Sequence, residues 1–466
     1  MRKVFVITIL FVCFAAVGQN KQLLYNFTAI PQSLMLNPGA DVKYKYYFGV
    51  PLLSGLSLQV GSSGFSAYDL FADNGVDFNA KLRDVVYNAS RNDKITINEQ
   101  VELFSGGFKL GDWMENKGYI SFGMYQEFDF ITYVPKDIAI LALDGNRDYI
   151  GRSFNLGDLS LKAEMVSVLH LGYHKEVSDK LIIGARAKIY SSPFNATSTK
   201  NSGYIQTLPG TTTFYDQVIY ADMQLNTSGI SNYLDDDYEG DVVADIRKKA
   251  LFGGDLGLGF DVGFTYYPQK NKQLTASLID VGFISHSKDV ESYTYKGVYQ
   301  YEGINPNFTD FNVPKNIYQD FKDAIPLDTL YNKYTTSRPI KFNASYQYSF
   351  NNNRGGDDCS CSANDGIYKT AVGAQLFAMT TPRVPLMALT GYVRHRLLKG
   401  LDLKATYTVD SYSSNNIGLG MAVNAGKFNM YVLADNLLEY RDLSKANSLS
   451  FQFGFNFVFK DSNDPP

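Results

Sequence analysis

The chain is poor in the residues that staple, ligate or catalyse. It has three cysteines and four histidines in 466 residues. Only Cys359 and Cys361 lie beyond the N-terminal apolar stretch, and two cysteines cannot build a disulfide framework. A Cys-x-Cys bridge would close a small strained ring. His170 and His174 share a strand face but sit roughly 13 Å apart at strand rise, too far for one metal ion. Gly-x-Ser-x-Gly, His-Glu-x-x-His and phosphate-loop motifs are absent. The chain is therefore expected to be non-enzymatic, with no catalytic, cofactor or metal residues. Charge of one sign is also lacking: 43 Lys+Arg stand against 47 Asp+Glu, a formal net charge of −4, which argues against nucleic acid as a partner. The sharpest acidic cluster is Asp235, Asp236, Asp237, Glu239 and Asp241. It lacks the spacing of a calcium loop and reads as a solvated loop. Past residue 18 no apolar run approaches the roughly 20 residues of a membrane-spanning helix.

What the chain does have is aromatic residues and glycine, with 34 Tyr, 32 Phe and 39 Gly, arranged with a period of two. From Leu449 to Phe459, Leu449, Phe451, Phe453, Phe455, Phe457 and Phe459 alternate with Ser450, Gln452, Gly454, Asn456 and Val458. One face is greasy and the other mostly polar, as in a strand. A soluble sandwich seldom devotes five phenylalanines to one strand face. A strand about 10 residues long, aromatic outside and polar inside, fits a transmembrane β-barrel. The same alternation recurs at 119–131, 181–190, 341–350 and 401–410. A membrane protein without apolar helices can only be a closed barrel, because every backbone group in lipid must bond internally.

The N-terminus reads as a secretory signal peptide over 1–18: Arg2 and Lys3, an apolar Val4–Val17 too short to span, and small residues before Gln19. Cys13 lies inside the apolar run, which disfavours a lipoprotein. Short turns at 177–179, 268–272, 398–400 and 425–426 belong on the periplasmic side, with long loops outside. The long connections are 63–98, 133–159, 195–254, 285–337 and 435–447. They imply strands near 55–62, 99–110, 118–131, 160–175, 180–194, 255–267, 273–284, 338–350, 367–379, 386–397, 401–411, 416–425, 427–434 and 448–460. The fold class is thus all-β, an antiparallel transmembrane barrel of about 14 strands. Short helices are expected in the outer loops at 79–88, 135–143 and 315–324. Residues 19–50, with Pro31 and Asn37-Pro38-Gly39, suit irregular backbone and are expected to thread the lumen as a plug. The alternative makes 43–50 a further strand, giving a count of 16. Residues 51–460 would then be the barrel and 461–466 a periplasmic tail.

By the alternation the lumen carries Glu127, Asp129, Lys162, Glu164, Arg186, Lys188, Arg394, Arg396, Asp402, Lys404 and Asp410. Both signs are interleaved, so these side chains can pair with one another or with a plug, and a largely filled lumen is expected. Gly257-Leu-Gly259 leading to Asp280 and Gly418-Leu-Gly420 leading to Asp435 form a faint internal echo.

Leu34-Met-Leu36-Asn37-Pro38-Gly39-Ala40 resembles the Asn-Pro-Ala motif of PorP/SprF-type membrane proteins of the type IX secretion system, with Gly39 in place of alanine. Tyr47-Phe-Gly-Val-Pro51-Leu-Leu-Ser-Gly, Gly259-Phe-Asp-Val-Gly263 and Leu274-Thr-Ala-Ser-Leu-Ile-Asp280-Val-Gly-Phe-Ile284 resemble an uncharacterised outer-membrane barrel family of gliding bacteria. In strand number and N-terminal plug the layout is also similar to FadL-type transporters of hydrophobic compounds. The first resemblances imply an outer-membrane accessory or anchor for secreted and surface proteins, partnered by lipid and by a secreted protein or the secretion machinery. The FadL likeness implies the alternative, a transporter of hydrophobic small molecules.

Overall fold

The computed structural model describes residues 21–42, 44–111, 117–210, 214–231, 240–241, 244–245, 248–249, 251–302, 313–352, 368–413 and 415–459. The expected signal peptide over 1–18, Cys359, Cys361, the acidic residues 235–239 and the expected tail 461–466 lie outside them.

The strands in chain order are β1 (Tyr46–Gly49), β2 (Leu56–Ser62), β3 (Lys94–Lys109), β4 (Tyr119–Tyr133), β5 (Ser153–Asn155), β6 (Leu161–Ser178), β7 (Leu181–Pro209), β8 (Tyr215–Ser228), β9 (Asp255–Gln269) and β10 (Lys272–His286). They continue as β11 (Val290–Tyr301), β12 (Leu327–Leu330), β13 (Tyr334–Ser337), β14 (Lys341–Asn352), β15 (Tyr368–Met379), β16 (Leu386–Leu398), β17 (Leu401–Asp410), β18 (Asn416–Ala425), β19 (Phe428–Asp435) and β20 (Ser448–Phe459). The wall runs β1/β2, β3, β4, β6, β7, β9, β10, β13/β14, β15, β16, β17, β18, β19, β20, every neighbour antiparallel. It closes because β20 pairs with both β1 and β2, which makes 14 strand positions and sets aside the 16-strand alternative.

Why these residues form a wall follows from their burial. Along β9, Leu256, Leu258, Phe260 and Val262 are exposed while Asp255, Asp261 and Thr265 are buried. Along β16, Met387, Leu389 and Val393 face out while Thr390, Tyr392 and Arg394 face in. A soluble protein buries its aliphatic face; here the polar face is inside and the aliphatic face outside, the signature of strands whose outer solvent is lipid. No helix among the described residues is long and apolar enough to cross a membrane. Tight turns follow β6, β9, β16 and β18 at one end. Gly400 and Gly426 hold positive φ there, at 101° and 63°, a conformation glycine adopts without steric cost. The opposite end carries long connections and is called outer below, by the usual disposition of such barrels.

Three boundaries differ from expectation. Tyr46–Gly49, assigned to the lumen segment, pairs in the wall with β20 and β3. Residues 50–55 then break the regular register, with Leu52 and Leu53 exposed, while still bonding to both neighbours through Val50 N–H to Phe455 O and Leu52 N–H to Leu103 O, before β2 resumes the same strand position. The loops expected at 195–254 and 285–337 are partly sheet: β7 runs on to Pro209 and pairs with β8, which pairs with β11, which pairs with β12. The short β5 joins the other edge of β7. One face of this outer sheet, with Ile219, Ala221 and Met223, packs on Leu156 and Ile325. The first long connection is also shorter than expected, since β3 begins at Lys94. Helices occupy Ala67–Phe71, Phe78–Asn88, Lys136–Asp144 and Val313–Ala324. Asp77 caps the second by accepting from Asn79 and Ala80 N–H.

Candidate functional site

Residues 21–42 lie inside the barrel. The backbone is a series of tight turns, with a 3-10 turn at Pro31–Met35 that Pro31 opens. Such a path leaves carbonyls without partners, and the wall supplies them. Ser277 Oγ donates to Leu36 O at 2.6 Å, Thr265 Oγ1 to Gly39 O at 2.8 Å and Lys404 Nζ to Tyr25 O at 2.6 Å. Asn429 Nδ2 donates to Ala29 O at 3.1 Å. Arg186 donates to Leu34 O and Met35 O. Gln32 Nε2 reaches Glu102 at 2.9 Å and Asn456 at 2.8 Å.

Side chains complete the fit. Leu23, Leu24, Tyr25, Phe27, Ile30 and Leu36 form an apolar core with Ile279, Ala422, Tyr431 and Leu433 of the wall. Gly418 and Gly420 keep this region open: a Cβ on Gly418 would strike Asp435 and Thr406 and stand 3.1 Å from Leu23 Cδ1, and one on Gly420 would stand 2.7 Å from Leu433 Cδ2 and 3.3 Å from Phe27 Cε1. The Asn37-Pro38-Gly39 turn presses on Gly184 and Gly263. A Cβ on Gly39 would meet Gly263 O at 2.5 Å, and one on Gly184 would meet Pro38 O at 2.2 Å.

The other half of the lumen is ionic. Lys162, Arg186, Lys188, Arg338 and Lys341 interleave with Glu127, Asp129, Glu164, Asp261 and Asp280, five cations with five anions. Arg186 and Asp261 are cross-strand partners, 3.1 Å apart. Lys188 contacts Asp261 at 2.9 Å and Asp280 at 2.5 Å. Lys341 joins Asp280 at 3.1 Å to Glu127 at 2.9 Å. Arg338 binds Glu127 at 2.7 Å and Asp129 at 3.3 Å, and also Glu164. Asp129 and Glu164 oppose each other across β4 and β6, a like-charge pair that Arg338 neutralises. Asp280 sits at a bulge of β10 with φ 61°, which turns its carboxylate toward Lys188 and Lys341.

The sequence-selected residues thus do not form one site. Glu127, Asp129, Lys162, Glu164, Arg186 and Lys188 belong to the ionic network. Arg394 and Lys404 contact the lumen segment, at Thr28 and Tyr25. Arg396 and Asp402 pair at 3.2 Å. Asp410 accepts from Tyr412 and Ser413 N–H at the outer end. Sequence reasoning missed Asp261, Asp280, Arg338 and Lys341 as members. Lys341 stands on the polar face of its strand and Asp280 in the internal echo, so both left a signal. Arg338 left none, since it lies in the break between β13 and β14.

Above this layer a cavity of about 340 Å³ opens at the outer end. Asp129, Lys162, Arg338 and Lys341 line it on the ionic side, and Ile131, Pro339, Met379, Pro382, Leu386 and Tyr412 supply apolar wall. Asn98 holds Asp129 at 2.6 Å, and Tyr412 shares a 2.8 Å hydrogen bond with Thr96. His170 and His174 are buried, and His174 stacks on Tyr119. Among the described residues no three His, Cys, Asp or Glu side chains are grouped to hold a metal ion.

The family pattern that fits this chain extends over residues 38–435, from the Asn-Pro-Gly turn through β19. The chain belongs to DUF5723, a family of unknown function. No curated protein matches this DUF5723 member. Among solved structures it is similar to the Pseudomonas putida toluene transporter TodX at 8% identity and TM-score 0.37, covering 96% of each chain. It is similar to the monoaromatic hydrocarbon channel CymD at 8% identity and TM-score 0.42, covering 96% of this chain and 98% of that one. It is also similar to a Pseudomonas aeruginosa FadL homologue at 10% identity and TM-score 0.43, over 95% and 98%.

Proposed function

We propose that the protein is a non-enzymatic outer-membrane channel that takes up small molecules with apolar bodies and polar ends. The observation that carries this reading is the outer cavity. It has an apolar wall and an ion-paired floor, and it sits directly above a lumen closed by residues 21–42. An open diffusion pore would leave its charges hydrated; here they pair with each other, so passage requires a ligand that enters the chamber and rearranges what lies beneath it. The lumen segment is held by non-covalent contacts to the wall, hydrogen bonds and packing prominent among them, an arrangement that can shift.

The test uses the full-length protein in lipid vesicles and in cells. The fluorescent probe 1-N-phenylnaphthylamine should bind and be taken up faster than in vesicles without protein. Ile131→Trp or Leu386→Trp, which fill the chamber, should reduce both. Binding and uptake indifferent to both variants would refute the reading.

A second reading is favoured by the outer sheet of β5, β7, β8, β11 and β12, a platform of the kind that receives a protein. The barrel would then be an accessory or anchor for a secreted or surface protein, in the manner of type IX secretion or gliding components. A photo-crosslinker at exposed Val298 should capture a specific partner on cells, and only nonspecific adducts would dismiss this reading.

A further inference from the structure

A second concavity lies on the outer face, distinct from the chamber. It is an open groove of about 630 Å³ where β5, the outer part of β7, β8 and the turn before β16 meet. Arg383 lines the groove while the preceding Thr381 and Pro382 line the chamber, so one turn is the wall between them. The groove's size is ordinary for a small-ligand cleft, typically ~300–1,000 Å³. Its chemistry is not ordinary, because no aliphatic side chain lines it. Such a surface gives an apolar molecule nothing to exchange for water.

What it presents is an aromatic pair beside planar polar groups. Tyr204 and Tyr220 are cross-strand partners with ring centroids 5.7 Å apart, tilted by 40°. Gly157 and Gly203 leave the floor beside them without side chains, and a Cβ on either would strike backbone oxygen, at 2.8 Å and 2.5 Å. Asp158 is 1% exposed. It accepts from Arg383 Nη2 at 3.0 Å through Oδ1. Its Oδ2 accepts no hydrogen bond within the protein, Arg91 Nε standing 3.5 Å away. That oxygen is itself closed to solvent, and the polar groups open to a ligand are Ser153, Asn155, Asn201, Ser202 and Arg383. Arg91 and Arg383 are committed to Asp158, and Arg91 also to Asp137 at 2.6 Å. This is not a free cationic pocket of the sort that captures phosphate.

We infer that this groove is a saccharide-binding site, with Tyr204 and Tyr220 receiving the C–H face of a sugar ring and Arg383, Asn201 and Ser202 its hydroxyls. Guanidinium and amide groups pair in two-point fashion with adjacent hydroxyls, and an aromatic face covers the apolar side of a pyranose. The inference does not depend on what crosses the barrel. A glycan held here rests against the same turn that borders the chamber.

The full-length protein in detergent is applied to an array of neutral and uronic-acid oligosaccharides, and the best binder is titrated in solution. Tyr204→Ala and Tyr220→Ala should each weaken binding by about tenfold, a typical contribution of an aromatic face. Ser202→Trp, an exposed change that fills the groove, should abolish glycan binding while 1-N-phenylnaphthylamine binding in the chamber persists. Titrating purified lipopolysaccharide beside lipid-free polysaccharide tells which source supplies the sugar, and binding of either supports the site. No oligosaccharide bound above a detergent blank, or binding unchanged in Ser202→Trp and Tyr204→Ala, would overturn it.

Discussion

The two halves of the lumen solve the same problem in opposite ways. From β4 through β14 the inward side chains are long and charged, and they meet across the interior as five cations and five anions. From β16 through β20 the inward positions include Gly418, Gly420, Ala422 and Leu433, too small or too apolar to fill a barrel, and residues 21–42 fill it for them. The internal echo does not share in the contrast. Gly259 clears space for the Tyr190 ring and Gly418 for the side chains of Asp435 and Thr406, each on a neighbouring wall strand. Interior closure is therefore a property of local side-chain size, and the alternation that defines the wall is indifferent to it.

The contrast can be broken most strongly at Arg338. Arg338→Leu removes the cation that Glu127, Asp129 and Glu164 share, leaving Lys341 to Glu127 and Lys162 to Glu164, and should cost about 3–5 kcal/mol of stability, read by denaturant unfolding in detergent. Glu127→Gln together with Glu164→Gln in that background should recover part of it. A loss below ~1 kcal/mol would mean the network is wetter than its burial implies. Next comes the wall. Phe260→Arg on the exposed face of β9 should cost about 2–4 kcal/mol in a bilayer; near-neutrality would place that face in water. Smaller again is Gly39→Leu, whose side chain collides with Gly263 O. It should cost about 1–3 kcal/mol and raise protease cleavage within 21–42 while heat-modifiable migration of the barrel persists. Asn429→Ala, which loses the hydrogen bonds to Ala29 O, Asn424 and Asn456, should cost about 1–3 kcal/mol.

The smallest effect is outside the membrane. Burial opposes ionisation of Asp137, but the Asn155 N–H, Arg152 and Arg91 outweigh it and hold the carboxyl below its ordinary value. A depressed folded pKa gives stability that is complete above the unfolded value of about 3.9 and is lost as pH falls through the folded one. Hydrogen exchange around Lys136–Asp144 should accelerate only below about pH 4, and acceleration between pH 5 and 8 would assign the loop's stability elsewhere.

The wall was legible because lipid on one side and polar lumen on the other impose a strict period of two, and β20 shows it most plainly. The outer sheet was not, although Ile219, Ala221, Met223 and Leu225 alternate with more polar residues along Tyr215–Ser228; the stripe is short and lies in a segment long enough to pass for a loop. Lumen-facing charges could be assigned to a side but not to partners. Asp129 and Glu164 look like a repulsive pair until Arg338, distant in sequence and outside any strand, is placed between them. Nor could Gly418 and Gly420 reveal that Leu23 and Phe27 would occupy the space they leave.

The seam of the wall lies between β20 and the β1/β2 position, that is, between the two ends of the barrel-forming chain. The segment it encloses precedes β1 and is joined to it directly. The joint that shuts the interior is the contact of greatest sequence separation, expected to form late. A barrel that zipped first would have to be reopened to admit some twenty residues against the pairing of an entire strand. Enclosure before the seam closes gives a filled interior without any later insertion step, and a circular permutant that opens the ring elsewhere while moving residues 21–42 to the chain's end would lose that order.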